Sequence, residues 1–314
     1  MKYGLMIWLS WVSFVTAQQI LWQDISNQYP QLPAGVRLMA GMDSTLPLRA
    51  WYLDVDLNDT LVAIRPYLST LAARKEGVPD FCRRIGGYAA INGGFFDTGT
   101  GISYSAVVYP DQIPAENVSA LTRGSQSYPV TRAFLGFNHL LQPAAHWIYH
   151  FGRTPSDIYI FNEPLPNHEG ANPAATPVRS QGTPYPDLQF GLGGGPMLIK
   201  NNRIRVSYDE EVFWGSGVGL NNRDPRTAIG YTPDRHMILL VVDGRQSAST
   251  GLSLPELALL MQQLGCCEAI NLDGGGSTQI AVDRRLINRP EGGTYTRAVP
   301  TIWAVVHRDS LPQS

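Results

Sequence analysis

The chain has 314 residues, a net charge of −2 and only 16% charged residues, with 31 glycines and 23 prolines. That length allows one large domain or two modest ones. The near-neutral charge excludes a broad basic face for nucleic acid, so no nucleic-acid partner is expected. Abundant glycine, proline and aromatics fit a strand-rich protein with many tight turns.

The chain opens with Lys2 and an apolar run over 5–15, followed by Val15-Thr16-Ala17 before Gln18-Gln19. This reads as a signal peptide over 1–17, cleaved on export to a secreted or periplasmic location. The alternative is a retained anchor, although a bilayer span needs about 20 apolar residues. No other stretch is apolar enough to cross, so no stable membrane insertion is expected after cleavage. An N-terminal segment over 18–47 precedes a single domain over 48–310.

Strands are expected at 36–42, 48–57 and 61–67, separated by turn residues such as Asp43, Ser44, Asn58 and Asp59. A broken helix follows over 71–84, interrupted at Gly77 and Pro79, and a buried strand resumes at 88–92. Further strands are expected at 133–141 and 145–151. Prolines recur with Gly, Asn and Ser over 162–189, which reads as a long loop or lid. Residues 191–204 read as strand, turn and strand around Asn201-Asn202. Paired strands at 227–231 and 236–242 precede a helix over 253–264. Ser253 is its N-cap, with Glu256 three residues on completing a capping box, and Gly265 is its left-handed terminator. Leu257, Leu260, Met261 and Leu264 form its apolar stripe. Strands at 268–272, 280–287 and 301–307 close the domain. Without regular βαβ alternation, the fold class is α+β: mixed, mostly antiparallel sheets with a few packed helices.

Cys82, Cys266 and Cys267 are too few for a disulfide framework and read as small buried hydrophobes, with a bond from Cys82 to one of the pair as the alternative. Asn58 and Asn117 each begin a glycosylation tripeptide. His146 and His150 flank an apolar strand without an accompanying Glu, and read as packing histidines rather than zinc ligands.

Chemistry concentrates where glycines meet polar side chains at strand ends: INGGFFD (91–97), GLGGGPML (191–198), RDPRTAIG (223–230), VVDGR (241–245) and NLDGGGST (271–278). Glycine there lets backbone N–H groups approach a ligand. Neither the phosphate-binding P-loop nor the Rossmann fingerprint is present. Asp243 and Asp273 suit a base or nucleophile, and Arg226 and Arg245 suit a forked clamp on an oxyanion. Asn92, with backbone N–H groups near Gly93 and Gly275, suits ligand hydrogen bonds. Each has a structural reading beside it: turn caps for the two aspartates, an ion pair for Arg226 and a loop anchor for Asn92.

The ordered set AINGGFFD, GLGGGPML, DPRTAIG, VVDGRQ, LPELALLMQQLG, AINLDGGGST and INRP with Arg297 resembles the phosphodiester glycosidase family, from about residue 54 to 306. That family includes the enzyme that uncovers mannose 6-phosphate tags by removing N-acetylglucosamine, and bacterial exopolysaccharide-associated relatives. The resemblance implies a hydrolase of an α-linked sugar-1-phosphodiester in a glycan or glycoconjugate. Asp243, Asp273 and Arg226 would be catalytic, and Asn92, Gly93, Arg245, Gly275, Ser277 and Arg297 would bind substrate. Ser277-Thr278-Gln279 departs from the family's more usual Ser-Ser-Thr-Met-like run. No cofactor is required on this reading. The alternatives are phosphodiester cleavage at phosphorus with Ca²⁺ or Mg²⁺ on Asp243 and Asp273, and a non-catalytic glycan-binding or polysaccharide-assembly role.

Overall fold

The computed structural model describes residues 20–43 and 46–310. The signal-peptide expectation and Ser44 lie outside the described residues. Among those described, no helix is long and apolar enough to cross a membrane.

Three antiparallel sheets of eight, seven and five strands, with a separate hairpin, make up the fold. The eight-stranded sheet has at its centre Leu48–Asp56, His236–Val242, Arg226–Tyr231 and Glu268–Asn271, in that order. Period-two alternation gives this sheet two buried faces. Leu53, Val55, Met237, Leu239 and Val241 enter a central cluster, whereas Leu48, Ala50, Ile238, Leu240 and Val242 point to the other side. On that other side helix Leu254–Gln263 lays down Leu257, Leu260 and Met261. Each leucine so buried contributes about 1.5–3 kcal/mol. Ser253 caps the helix and Glu256 returns to the Ser253 N–H at 2.8 Å, completing the capping box. Gly265 terminates it at φ 86°.

The central cluster joins all three sheets. Phe137 and Trp147 come from the seven-stranded sheet, and Ile91, Trp303 and Val305 from the five-stranded sheet. Strand Thr301–His307 also alternates, sending Ile302, Ala304 and Val306 toward helix Val78–Arg84. Only the last seven residues, about two turns, of the expected 71–84 helix form, because Gly77 and Pro79 start it there. Asn201-Asn202 and Asp283-Arg284 all have positive φ, the backbone of tight two-residue hairpins. The second pair divides the expected 280–287 strand into Ile280–Val282 and Arg285–Leu286.

Three expectations change in detail. Residues of the expected N-terminal segment belong to the large sheet, where strands Leu21–Asp24 and Val36–Asp43 pair outward from Leu48–Asp56. The 162–189 stretch is pinned rather than free: buried Asn167 donates to the Pro129 carbonyl at 2.8 Å, and Tyr128 donates to the Ala171 carbonyl at 2.8 Å. Short strands at Val107–Tyr109, Gln112–Ala115, Ala120–Arg123 and Gln126–Pro129 went unread: the first has only three residues, and exposed residues blur the apolar pattern of the other three. All three cysteines are free, with burial pushing the Cys82 thiol up to about 12. His146 and His150 are packed side chains on Pro143–His150, both pushed down to about 4 by burial.

Candidate active site

Ends of all three sheets converge on one cleft of about 440 Å³. Arg226 and Asn271 stand at ends of large-sheet strands, Asn92 ends Ala89–Asn92, and Arg132 begins Arg132–Asn138. Two similar strand ends, AIN-Gly-Gly and AIN-Leu-Asp-Gly, interlock beneath the cleft. The Asn92 amide donates to the Asp273 carbonyl at 2.7 Å, and the Asp273 N–H donates to the Gly93 carbonyl at 3.1 Å. The Asn92 Oδ1 accepts from Thr227 Oγ1 at 2.8 Å and from the Gln279 N–H at 3.0 Å. Asn92 is fully buried and Gly93 lies with it below the cleft floor; both fix the backbone on which Asp273 stands.

Asp273 lines the cleft, partly exposed, with its Oδ1 accepting from the Gly274 N–H at 3.0 Å. Burial pushes its carboxyl up to about 6, against the opposing pull of Ser277 and Arg297. Gly274, Gly275 and Gly276 form the floor beside it. Gly275 holds φ 59°, and a Cβ on Gly276 would sit 3.1 Å from the Arg297 guanidinium. Ser277 is buried behind this floor and accepts from Arg297 Nη1 at 3.2 Å.

Arg123, Arg132, Arg226, Arg245 and Arg297 line the walls, against two carboxylates, Asp224 and Asp273. Asp224 accepts from Arg245 Nε at 2.8 Å and lies 3.7 Å from Arg226, so its charge is already matched. Arg226 gives Nε to the Leu252 carbonyl and Nη2 to the carbonyls of Gly219 and Asn222, at 2.8–2.9 Å. Arg245 bridges Asp224 and Glu291. Phe95, Phe96, Tyr104 and Phe213 supply aromatic surface to the same space.

Asp243 is placed elsewhere. It is 2% exposed and does not line the cleft. Its Oδ1 accepts from Asn288 Nδ2 at 2.8 Å and its Oδ2 from the Arg289 N–H at 3.3 Å. The VVDGR turn therefore uses its aspartate to hold the 288–289 segment, while the following Arg245, at φ 55°, reaches the cleft. Asp243 and Asp273 do not form a shared oxygen cage, and among the described residues no three His, Cys, Asp or Glu side chains gather in metal-ligand geometry. The Ca²⁺ or Mg²⁺ alternative loses its donor set on that geometry. No residue of 162–189 lines the cleft.

Sequence reasoning missed Asp224, Arg123, Arg132, Asn117 and the aromatic wall. Asp224 sits inside RDPRTAIG, and Phe95 and Phe96 inside INGGFFD, and were legible there; Asn117 carries only its glycosylation tripeptide, and Arg123, Arg132 and Phe213 carry no local signal. Asn117 lines the cleft with its Nδ2 buried, so a glycan on that nitrogen would fill the site.

This cleft sets one raised carboxyl among five arginines at the ends of antiparallel sheets. Residues 86–306 match the phosphodiester glycosidase family model, and the chain belongs to that family of hydrolases. The chain is 34% identical over 108 residues to the uncharacterized protein YomE of the SPbeta prophage of Bacillus subtilis. That match spans 34% of this chain and 16% of YomE. It is 35% identical over 106 residues to mouse N-acetylglucosamine-1-phosphodiester alpha-N-acetylglucosaminidase, spanning 32% of this chain and 20% of the mouse protein. The chain thus matches only a fifth or less of the length of these relatives. In fold it is similar to the zebrafish catalytic domain of that enzyme, auto-inhibited by its pro-peptide, with a TM-score of 0.57 and 20% identity. That likeness covers 92% of this chain and 83% of the zebrafish chain. A hypothetical protein from Synechocystis gives a TM-score of 0.60 at 18% identity, over 87% of this chain and 62% of that one.

Proposed function

We propose that the protein is an exported hydrolase that cleaves an α-linked sugar-1-phosphodiester at the bond between the anomeric carbon and oxygen. The observation that carries this is Asp273: a carboxyl raised to about 6, standing on a glycine floor in a cleft lined by arginines. A sugar-1-phosphodiester presents two things to such a cleft, a ring for the aromatic wall and an anion for the arginines. Cleavage expels a phosphate monoester, whose second ionisation lies near 6. The leaving group therefore needs far less protonation than the alcohol expelled in ordinary glycoside hydrolysis. One ionised carboxylate at the anomeric centre, as base toward water or as nucleophile, then suffices in principle. Asp273 is the cleft carboxylate not already matched by arginine hydrogen bonds.

Arg226, Asp224 and Arg245 keep the 219–226 loop and the glycine floor in register, and Arg297 opposes the negative charge of Asp273. Family membership supports the phosphodiester substrate class, and the mouse relative's name makes N-acetylglucosamine the first sugar to try. The N-terminal apolar run supports secretion or a periplasmic location.

Hydrolysis of a sugar-1-phosphodiester in ¹⁸O-labelled water tests the reading. The label is expected in the sugar. Label in the phosphate would move the cleavage to phosphorus, and no turnover on a panel of such diesters, with glycan binding retained, would make the cleft a binding site.

A further inference from the structure

Four of the five cleft arginines direct donors to the protein itself. Arg123 donates to the carbonyls of Thr122, Val212 and Trp214. Arg226 is held by three carbonyls, Arg245 bridges two carboxylates, and Arg297 donates to Ser277. Arg132 differs. It is 7% exposed and lines the cleft, with its guanidinium carbon 4.1 Å from the centroid of the Phe213 ring. Among the described residues it makes no hydrogen bond and no ion pair, and its Nε is buried without a partner.

Glu211 is the acid within electrostatic range, yet its carboxylate is filled by other donors. It accepts from the N–H groups of Ala133 and Met197, from Ser207 Oγ and from Trp147 Nε1, at 2.6–3.0 Å. Burial, aided by the nearby charge of Arg123, pushes Arg132 down to about 10, which leaves it protonated at neutral pH. A buried cation without hydrogen bonds is costly to keep unless a counter-charge meets it.

Asn117 supplies a second open donor on the same cleft. Its Oδ1 accepts from the Ala106 N–H at 2.7 Å, which fixes the amide orientation, and its Nδ2 is buried with no acceptor. One charged and one neutral side chain lining the cleft thus each carry a buried donor with no acceptor in the protein.

We infer that Arg132 and Asn117 form the oxyanion subsite of this cleft, holding the non-bridging oxygens of the substrate's phosphoryl group. Arg226 and Arg245, which the sequence marks as the clamp, position the loops instead. The phosphoryl identity of the ligand rests on the glycosidase reading above; the existence of an oxyanion subsite does not. Guanidinium suits the task because two parallel N–H groups match two phosphoryl oxygens, and the ring of Phe213 packs against it.

Calorimetric titration of the full chain with inorganic phosphate at pH 7.5 tests this, with acetate as the carboxylate control. The parent is expected to bind phosphate and to bind acetate at least tenfold more weakly. Arg132→Gln should weaken phosphate at least tenfold, and Arg132→Lys, which keeps the charge beside Glu211 and guards against a folding defect, should weaken it by less. Circular dichroism checks both variants. Absence of phosphate binding to the parent, or unchanged binding to both variants, overturns the subsite; acetate bound as tightly as phosphate overturns its phosphoryl character. If no sugar-1-phosphodiester is hydrolysed but phosphate binding still collapses in Arg132→Gln, the subsite stands and the glycosidase reading falls. If hydrolysis proceeds in Arg132→Gln with KM within threefold of the parent, the reverse holds.

Discussion

Asp273→Asn perturbs the cleft at its centre with almost no change in shape. The native carboxyl is raised from 3.8 to about 6 by burial. A raised carboxyl makes the folded state bind protons more tightly than the unfolded chain, so stability falls as pH rises from about 4 to about 6 and the full cost is present above that. At 1.36 kcal/mol per pKa unit, the cost at pH 8 is about 3 kcal/mol. Asparagine removes this cost, which is already net of the attraction to Arg297, and keeps an Oδ1 to accept from the Gly274 N–H. The gain should be about 2–3 kcal/mol at pH 8, or roughly 4–9 °C in Tm for a chain of this size. Below pH 4 both proteins carry a neutral group there, and the gain should vanish. Turnover on a sugar-1-phosphodiester should fall by at least about 10³-fold, the order expected when a reacting acid-base group is lost. Scanning calorimetry at pH 4 and pH 8, with kinetics on the same preparations, measures both effects. A variant no more stable than the parent at pH 8 and within a few-fold of its turnover would refute the argument, because it would show that Asp273 is neither desolvated nor reactive.

The parent's kcat/KM should lose activity as pH drops through about 6, since protonation of Asp273 removes the base or nucleophile; a pH profile flat from 5 to 8 would contradict this. Arg226→Lys should lose most activity together with about 1–3 kcal/mol of stability, because one ammonium cannot reach the carbonyls of Gly219, Asn222 and Leu252 together; urea unfolding shows whether the two losses coincide. Asp243→Asn should retain turnover within about tenfold while Asp243→Ala loses about 1–3 kcal/mol, having left Asn288 Nδ2 and the Arg289 N–H without their acceptor; a dead but fully stable Asp243→Asn would return Asp243 to the chemistry. Ser253→Ala should cost about 1 kcal/mol by removing the cap of helix Leu254–Gln263, read by thermal denaturation, with kinetics unchanged.

What the sequence alone determined is what local chemistry can write. Dense runs of apolar and β-branched residues marked Leu48–Asp56, His236–Val242 and Thr301–His307 as sheet strands, because a strand buried on two faces leaves such a signature. Ser253, Glu256 and Gly265 marked both ends of the longer helix, because caps satisfy backbone groups within a few residues. NLDGGGST marked Asp273, because a carboxylate followed by three glycines leaves room that only a ligand fills. Only the tertiary structure separated Asp243 from Asp273, two aspartates each followed by glycine at a strand end. Asn288, 45 residues further on, takes the first and leaves the second in the cleft. It also brought Arg132 and Asn117 into view, whose neighbours in sequence say nothing of a ligand. Their meaning lies in the partners they lack, and whether a buried donor is filled depends on groups that folding delivers from distant parts of the chain.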